Sequence, residues 1–241
     1  MITIDGNWVM EGLDLLDPRR IKTSDALSEY IDMVGFLPLF KNNVPGFSVE
    51  ELTATQCWWG ADPLKDPWVW REVIAEEGRI AYGKLFANRA GFISRKWYPV
   101  FAAYRRDGYD FDSRYEDGLA SHRSKKVMDV LMEYEVLPSN EIKAMAGFGK
   151  EGEKGFEGAM TMLQMQTYIT VRSFKRRSNK KNQEYGWPVA NFSLSEHLFG
   201  EAYARSAYHL SSSEAKLKLI EQVKLYSPGA QQADIEKIIR G

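Results

Sequence analysis

The chain has 241 residues, a formal net charge of -1 at pH 7 and 44% hydrophobic residues. This length suits one large domain or two to three small ones, and near-neutral charge means that any affinity for nucleic acid must come from local patches. A single cysteine, Cys57, excludes an intramolecular disulfide and a cysteine-based zinc cluster. No run of eighteen apolar residues indicates a membrane span, and the N-terminus lacks signal-peptide features, so we expect a cytoplasmic protein.

The first unit of the predicted fold covers 22–104 and follows an N-terminal arm, 1–21, that has no clear period. Ser24 is a suitable N-cap for a helix whose apolar residues recur on one side, and Gly35 can end this helix. An apolar run at 36–40 comes directly after it.

A β-hairpin is predicted near the end of the first unit. Two apolar runs, 80–86 and 91–94, flank a short turn segment. We interpret this hairpin as the wing of a first winged helix, which is a helix-turn-helix followed by a β-hairpin. Its cations would form a second basic edge, with a weaker expectation of DNA contact: Lys84, Arg89, Arg95 and Lys96.

The segment 105–114 is interpreted as a polar linker between the first unit and the next. Arg105 and Arg106 are candidate phosphate contacts. The aspartates of this segment lack the spacing of a calcium loop and are interpreted as salt-bridged linker residues: Asp107, Asp110 and Asp112. The three histidines are scattered along the chain, so the sequence predicts no metal site and no cofactor.

Three helices are predicted in the central unit, 105–195. Apolar residues recur at three- and four-residue intervals from about 118 to 134, including Leu119 and Tyr134, and a short helix is expected within 137–146. The third helix follows a glycine turn and has one apolar stripe: Phe156, Ala159, Met160 and Leu163.

Two β-type runs, 167–173 and 187–192, complete a winged helix in the central unit. The tip between them, 174–183, contains five cations and no acid. A cationic hairpin can lie along a phosphate backbone and release counterions, so these five residues are predicted to bind DNA: Lys175, Arg176, Arg177, Lys180 and Lys181. The alternative is a solvated loop tip that its cations keep soluble.

The third helix of the central unit is not a basic reading helix. Lys150 and Lys154 are opposed there by three glutamates: Glu151, Glu153 and Glu157. Contact with the phosphate backbone or with DNA shape is therefore favoured over base-edge readout, and Lys154 is included among the predicted DNA contacts.

The phrase KGFEGAMTMLQ at 154–164, running into a strand, resembles the AlkZ/YcaQ-type bacterial DNA glycosylase superfamily, and more narrowly its AlkZ-related branch. The order of elements and the aromatic-rich leader share this likeness, which extends from about Lys22 to the end. The resemblance implies tandem winged helices around a DNA-binding cleft, and excision of alkylated or crosslinked bases. The expected fold class is α+β, mainly helical, with these units packed in one compact body.

Catalysis by the family mechanism is doubtful. In catalytic members the segment after the first helix contains a Gln-x-Gln or Gln-x-Asp motif that activates water, whereas the corresponding residues here are Leu37-Pro38-Leu39-Phe40. Gln164-Met165-Gln166 has the motif's letters but is interpreted as an ordinary junction between helix and strand. The catalytic residues are therefore unknown.

The C-terminal unit, 196–241, has helical patterns and ends like a partial helix-turn-helix. Three functions stay open from the sequence. The favoured one is a DNA-binding relative of alkylation-repair glycosylases, and the second is an active glycosylase with an acid elsewhere in the chain as base: Asp107, Asp110, Asp112 or Glu116. In the third, the winged helices bind a protein partner instead of DNA.

Overall fold

The computed structural model of the chain describes residues 2–4, 7–149, 152–178 and 183–240. It is an α+β fold in which helices pack around one six-stranded antiparallel sheet. This agrees with the predicted α+β class. The strands and helices of the first half are β1 Ile2–Ile4, β2 Asn7–Val9, α1 Ser24–Val34, β3 Phe36–Pro38, α2 Val49–Leu52, α3 Pro67–Glu77, β4 Ile80–Phe86, β5 Arg89–Ser94 and α4 Tyr98–Arg106.

The second half contains the longest hairpin and the C-terminal helices. Its elements are α5 Phe111–Glu116, α6 His122–Glu133, β6 Leu137–Pro138, α7 Ser139–Met145, α8 Phe156–Met165, β7 Ile169–Ser178, β8 Glu184–Leu194, α9 Ser195–Phe199, α10 Glu201–Ala204, α11 Ser212–Tyr226 and α12 Gln232–Ile239. β1 and β2 pair with each other in a separate two-stranded sheet.

The large sheet joins two similar groups of strands in the order β3-β5-β4-β7-β8-β6. In each group a helix leads into a short strand, further helices follow, and a hairpin closes the group. The short strand always pairs with the second strand of the hairpin, since β3 pairs with β5 and β6 pairs with β8. The two hairpins meet where Tyr82 of β4 pairs with Val171 of β7, so one sheet passes through both halves.

Local chemistry explains the first helix. Its N-cap is Thr23, whose side chain accepts a hydrogen bond from the Ala26 amide, so the cap lies one residue before the predicted Ser24. Gly35 ends the helix as predicted, with a φ of 93° that favours glycine. A Cβ at this position would lie 2.5 Å from the Trp97 ring, so the close approach also requires glycine.

Most helices of the second half occur where apolar spacing predicts them, with shorter bounds. The prediction of a polar linker at 105–114 needs correction, because its first two residues belong to α4 and its last four begin α5, which Asp110 caps. The predicted 118–134 helix begins at His122, because the Ser121 hydroxyl accepts the Ser124 amide and caps it. The prediction that Leu119 and Tyr134 belong to its buried face is wrong, since 52% and 41% of these residues are exposed. Both lie outside the helical turns whose side chains pack inward.

The apolar core extends through both halves of the sheet. Phe36 of β3 contacts the rings of Phe47, Phe86 and Phe101, at centroid distances of 4.8 to 6.1 Å. Trp70 of α3 is also buried in this core. The core therefore supports one continuous sheet, and the second hairpin extends from this sheet.

Candidate nucleic-acid interface

The hairpin of β7 and β8 extends beyond the rest of the sheet. The pairing of β7 with β4 is confined to Val171, and β6 covers β8 only at Asn191 and Phe192. Among the described strands, the outer part of the hairpin, 174–178 with 184–190, therefore pairs only with itself. We call this part the ribbon.

The predicted basic wing corresponds to the ribbon and its tip. Lys175 and Arg176 are exposed on β7. Arg177 lies on the same strand with its backbone opposite Tyr185, but its side chain is not described. Lys180 and Lys181 lie outside the described residues, so their predicted DNA contact stays a prediction.

The ribbon contains a bulge next to its aromatic residues. Lys175 pairs with Val189 and Arg177 pairs with Tyr185, so Arg176 alone faces three residues of β8, 186–188. Gly186 adopts a φ of 74°, and Pro188 has no amide hydrogen to donate to the neighbouring strand. Trp187 between them is 88% exposed. The Gly-Trp-Pro sequence is the signal for this bulge, and sequence reasoning missed it.

The surface at the start of α8 is less acidic than its composition suggests. Glu153 forms ion pairs with Arg123 at 2.8 Å and with Lys126 at 3.1 Å, and hydrogen bonds from Lys126 and Arg123 lower its pKa. Lys154 is exposed just before the helix, as is Glu157 within it. Lys150 and Glu151 lie outside the described residues.

Gln164 has a structural position in α8. It is buried, its Nε2 donates to the Met160 carbonyl, and its Oε1 accepts the Lys84 amide at 2.9 Å. A Cβ on Gly83 would lie 2.9 Å from this Oε1, so the glycine leaves room for the Gln164 amide beside β4. The amide of Gln164 is used to join the two halves.

The structure does not support the predicted phosphate contacts of Arg105 and Arg106, because both side chains are buried. Arg105 donates to three backbone carbonyls on separate elements, those of Leu85, Met165 and Ile239, at 2.6 to 3.1 Å. Burial lowers the pKa of Arg105 to about 9, so it remains protonated at neutral pH. Sequence shows the charge of the pair but not which later segments cover it.

Arg106 binds both ends of the second hairpin, where β7 begins and β8 ends. Its guanidinium donates to the Thr167 carbonyl before β7, to the Ser195 hydroxyl after β8 at 2.8 Å, and to the Glu196 carboxylate at 2.5 Å. Burial alone would lower the pKa of Arg106, but the Glu196 charge outweighs it and raises this pKa. Thr167 has a φ of 65°, which is strained for a β-branched residue.

A cavity of about 350 Å³ lies between the two halves beside the base of the ribbon. The Arg71 guanidinium is stacked between Trp68 and Phe174, at 3.9 and 4.2 Å from the ring centroids. Its Nε is buried and has no hydrogen-bond partner among the described residues, and burial raises the pKa of the neighbouring Tyr82 to about 12. With Glu157 and aromatic walls, this cavity can accept a flat ring that offers an acceptor to Arg71.

The other candidate catalytic positions lie away from this cavity. Leu37 and Leu39 are fully buried in and beside β3. Asp110 caps α5 by accepting the Ser113 amide at 2.8 Å, and Asp112 lies 3.4 Å from the Lys125 ammonium group. None of the four acids considered as a catalytic base lines the cavity: Asp107, Asp110, Asp112 or Glu116.

The described residues contain no cluster of three or more side chains that could hold a metal ion. Within the same ranges, no helix combines the length and the apolar character that a membrane span needs.

Comparison with known proteins gives a family and one structural likeness. A family model described as AlkZ related matches residues 21–240. The solved structure of the DNA glycosylase AlkZ from Streptomyces sahachiroi is similar with a TM-score of 0.44 and 11% sequence identity, covering 88% of this chain and 52% of that chain. The chain thus spans about half the length of that glycosylase structure. Comparison with curated proteins finds no matching sequence.

Proposed function

Because the chain belongs to the AlkZ-related family, we propose that it is a DNA-binding protein of DNA repair that contacts the phosphate backbone through the ribbon and its tip. The observation behind this proposal is the exposure of Lys175 and Arg176 on a hairpin segment that pairs only with itself among the described strands. Three further cations follow in the sequence, and the tip contains no acid.

The proposed architecture is a tandem winged helix. Its support is the repeated succession of helix, short strand, helices and hairpin, with the short strand beside the second hairpin strand each time. We assign the first unit to 22–104 and the second to 105–195, after an arm at 1–21. Residues 196–241 form a C-terminal helical unit that packs on them, and we propose a cytoplasmic location for the whole.

Phosphate binding follows from the charge of the ribbon. A DNA duplex releases condensed counterions when cations neutralise its phosphates, so affinity falls as salt rises. Lys154 at the start of α8 is proposed as a further phosphate contact because its side chain is exposed. Arg105 and Arg106 are not part of the proposed interface, since their donors bind the protein's own backbone and Glu196.

A second candidate function is base excision, which the cavity beside the ribbon favours. Its volume of about 350 Å³ suits a small planar ligand, and Glu157 supplies a carboxylate that could act as general base. Release of a base from alkylated duplex, lost on Glu157→Gln, would establish this activity. Binding of DNA without base release would leave only the first proposal.

The decisive experiment measures duplex DNA binding across a salt series. Replacing Lys175, Arg176, Arg177, Lys180 and Lys181 by alanine should weaken binding and flatten the plot of log affinity against log salt by about 0.9 for each phosphate contact removed. A smaller variant, Lys175→Ala with Arg176→Ala, has a matched control in Lys218→Ala with Lys224→Ala, which removes two exposed cations from α11.

The control variant should bind as the native protein does. Equal salt slopes for the native protein and the five-residue variant would contradict the proposed interface. Absence of duplex binding at low salt would contradict DNA binding itself and would support the protein-interaction alternative.

A further inference from the structure

The ribbon presents two aromatic side chains to solvent, and Trp187 is the more exposed of them. Trp187 is 88% exposed, and Tyr185 is 52% exposed on the same strand. A tryptophan normally buries most of its large apolar surface, so one held in solvent by a folded strand indicates a contact with another molecule. The bulge opposite Arg176 fixes this position.

Two exposed cations lie on the strand opposite these rings. Lys175 pairs across the hairpin with Val189, and the backbone of Arg176 lies opposite the bulge that contains Trp187. A groove of about 530 Å³ runs along this part of the ribbon towards α7, and its lining includes Lys175, Arg176 and Tyr185. One acid, Glu141 of α7, also lines it.

A cationic groove lined by the Tyr185 ring, with the exposed Trp187 ring on the same strand, fits one class of partner. Single-stranded nucleic acid binds where cations follow the backbone and aromatic rings stack on successive bases. A paired duplex offers phosphates to the cations but keeps the faces of its bases covered by their neighbours. In an intact duplex, Trp187 and Tyr185 could contact the sugars but could not stack on the faces of the bases.

We propose that the ribbon stacks Trp187, with Tyr185 beside it, on unstacked bases, so that the protein prefers single-stranded or locally opened DNA to intact duplex. This inference rests on the proposed DNA binding and adds the kind of DNA that is recognised. Lys175 and Arg176 hold the backbone, and the aromatic rings distinguish opened from paired strands.

The test compares an intact duplex, a single strand of the same sequence and a duplex with a central bubble. The native protein should bind the single strand and the bubble more tightly than the duplex. Trp187→Ala should weaken binding to both opened substrates about tenfold while leaving duplex binding and the salt slope almost unchanged, because it removes no charge. Trp187→Phe keeps a ring and should retain most of the preference.

The Trp187 variants should fold like the native protein, because this side chain is almost fully exposed and contributes little to the core. Leu225→Ala, at a 69% exposed residue of α11, is the matched control for loss of an exposed apolar side chain and should bind as the native protein does. A 2-aminopurine placed in the bubble should be quenched by the native protein and by Trp187→Phe, and much less by Trp187→Ala.

The outcomes separate the two proposals. If Lys175→Ala with Arg176→Ala weakens duplex binding but Trp187→Ala binds all three substrates like the native protein, phosphate binding stands and base stacking is refuted. If no DNA binds, both fail. Binding to phosphatidylglycerol vesicles that Trp187→Ala abolishes, with no effect on DNA, would assign the ring to a membrane surface instead.

Discussion

The two hairpins of the large sheet have the same place in the topology but different surroundings. The first, β4 with β5, has almost every residue buried and closes in a two-residue turn, Ala87-Asn88. The second, β7 with β8, continues past its neighbours as the ribbon. Most of the first hairpin therefore serves the core, whereas a hairpin that extends beyond the sheet offers its side chains to a partner. The cations predicted as a second basic edge are exposed at and beside the first hairpin, and their DNA contact stays a prediction: Lys84, Arg89, Arg95 and Lys96.

The hairpins are also anchored differently. Arg106 joins the residue before β7 to the residue after β8, which fixes both ends of the second hairpin at one buried point. The first hairpin is held by its turn and by the pairing of β5 with β3. An extended hairpin has few packing contacts at its outer end. The orientation of the ribbon therefore depends on the contacts that Arg106 makes where β7 begins and β8 ends.

The largest expected effect is loss of this anchor. Glu196→Ala leaves the Arg106 charge buried without its carboxylate, which should lower the free energy of unfolding by about 3 kcal/mol; 17% of the Glu196 side chain is exposed, so the low end of the usual range applies. Urea denaturation measures this. Glu201→Ala breaks an exposed ion pair with Arg205 and should change stability by less than about 1 kcal/mol.

The same pair predicts an acid dependence. Burial raises the pKa of Glu196, but Arg106 lowers it more strongly, so the folded pKa lies below the unfolded one. The stabilisation is present above the ordinary glutamate pKa of about 4.3 and is lost as the pH falls through the lowered folded value. Native protein should lose stability below about pH 4 more steeply than Glu196→Ala, and parallel curves would contradict this account.

A smaller effect is expected at the turn of the first hairpin. Ala87 and Asn88 both have positive φ, 48° and 64°, which matches a turn type that favours asparagine and glycine. Ala87→Gly should relieve strain and raise the free energy of unfolding by about 0.5 to 1 kcal/mol. Ala202→Gly in helix α10 should lower it by a similar amount, and DNA binding should be unchanged in both variants.

The smallest effect concerns a carboxylate beside the ribbon. Burial raises the pKa of Glu72, while the charges of Arg71 and Arg176 act to lower it. Because the negative charge of Glu72 partly offsets Arg176, Glu72→Gln should strengthen DNA binding by about twofold, a few tenths of a kcal/mol. Native binding should also strengthen as falling pH protonates Glu72, and this dependence should disappear in the variant. Glu221→Gln on α11 serves as control.

Sequence periodicity predicted the elements that depend on local chemistry. The stripe from Phe156 to Leu163 became α8, and the β-type runs on either side of the cationic tip became β7 and β8. The helix boundaries fall at residues with clear capping chemistry, such as Gly35 at the end of α1 and Ser121 at the start of α6. These features are encoded within a few residues, so a short window of sequence contains them.

Features that depend on distant segments could not be predicted in the same way. Arg105 is covered by carbonyls as far along the chain as Ile239, and no spacing near residue 105 indicates this. The pairing of Tyr82 with Val171 joins the two halves, and both residues line the cavity beside the ribbon. The bulge at Trp187 has a local signal in Gly186 and Pro188, although sequence reasoning missed it.

The pairing of β4 with β7 limits how the protein can be divided. A fragment ending after α4 would leave β4 without its neighbour, and a fragment starting at α5 would leave β7 in the same condition. An uncovered strand with apolar side chains is a template for intermolecular association. Either half expressed alone should therefore aggregate, and mixing the two fragments should restore solubility by rebuilding the six-stranded sheet.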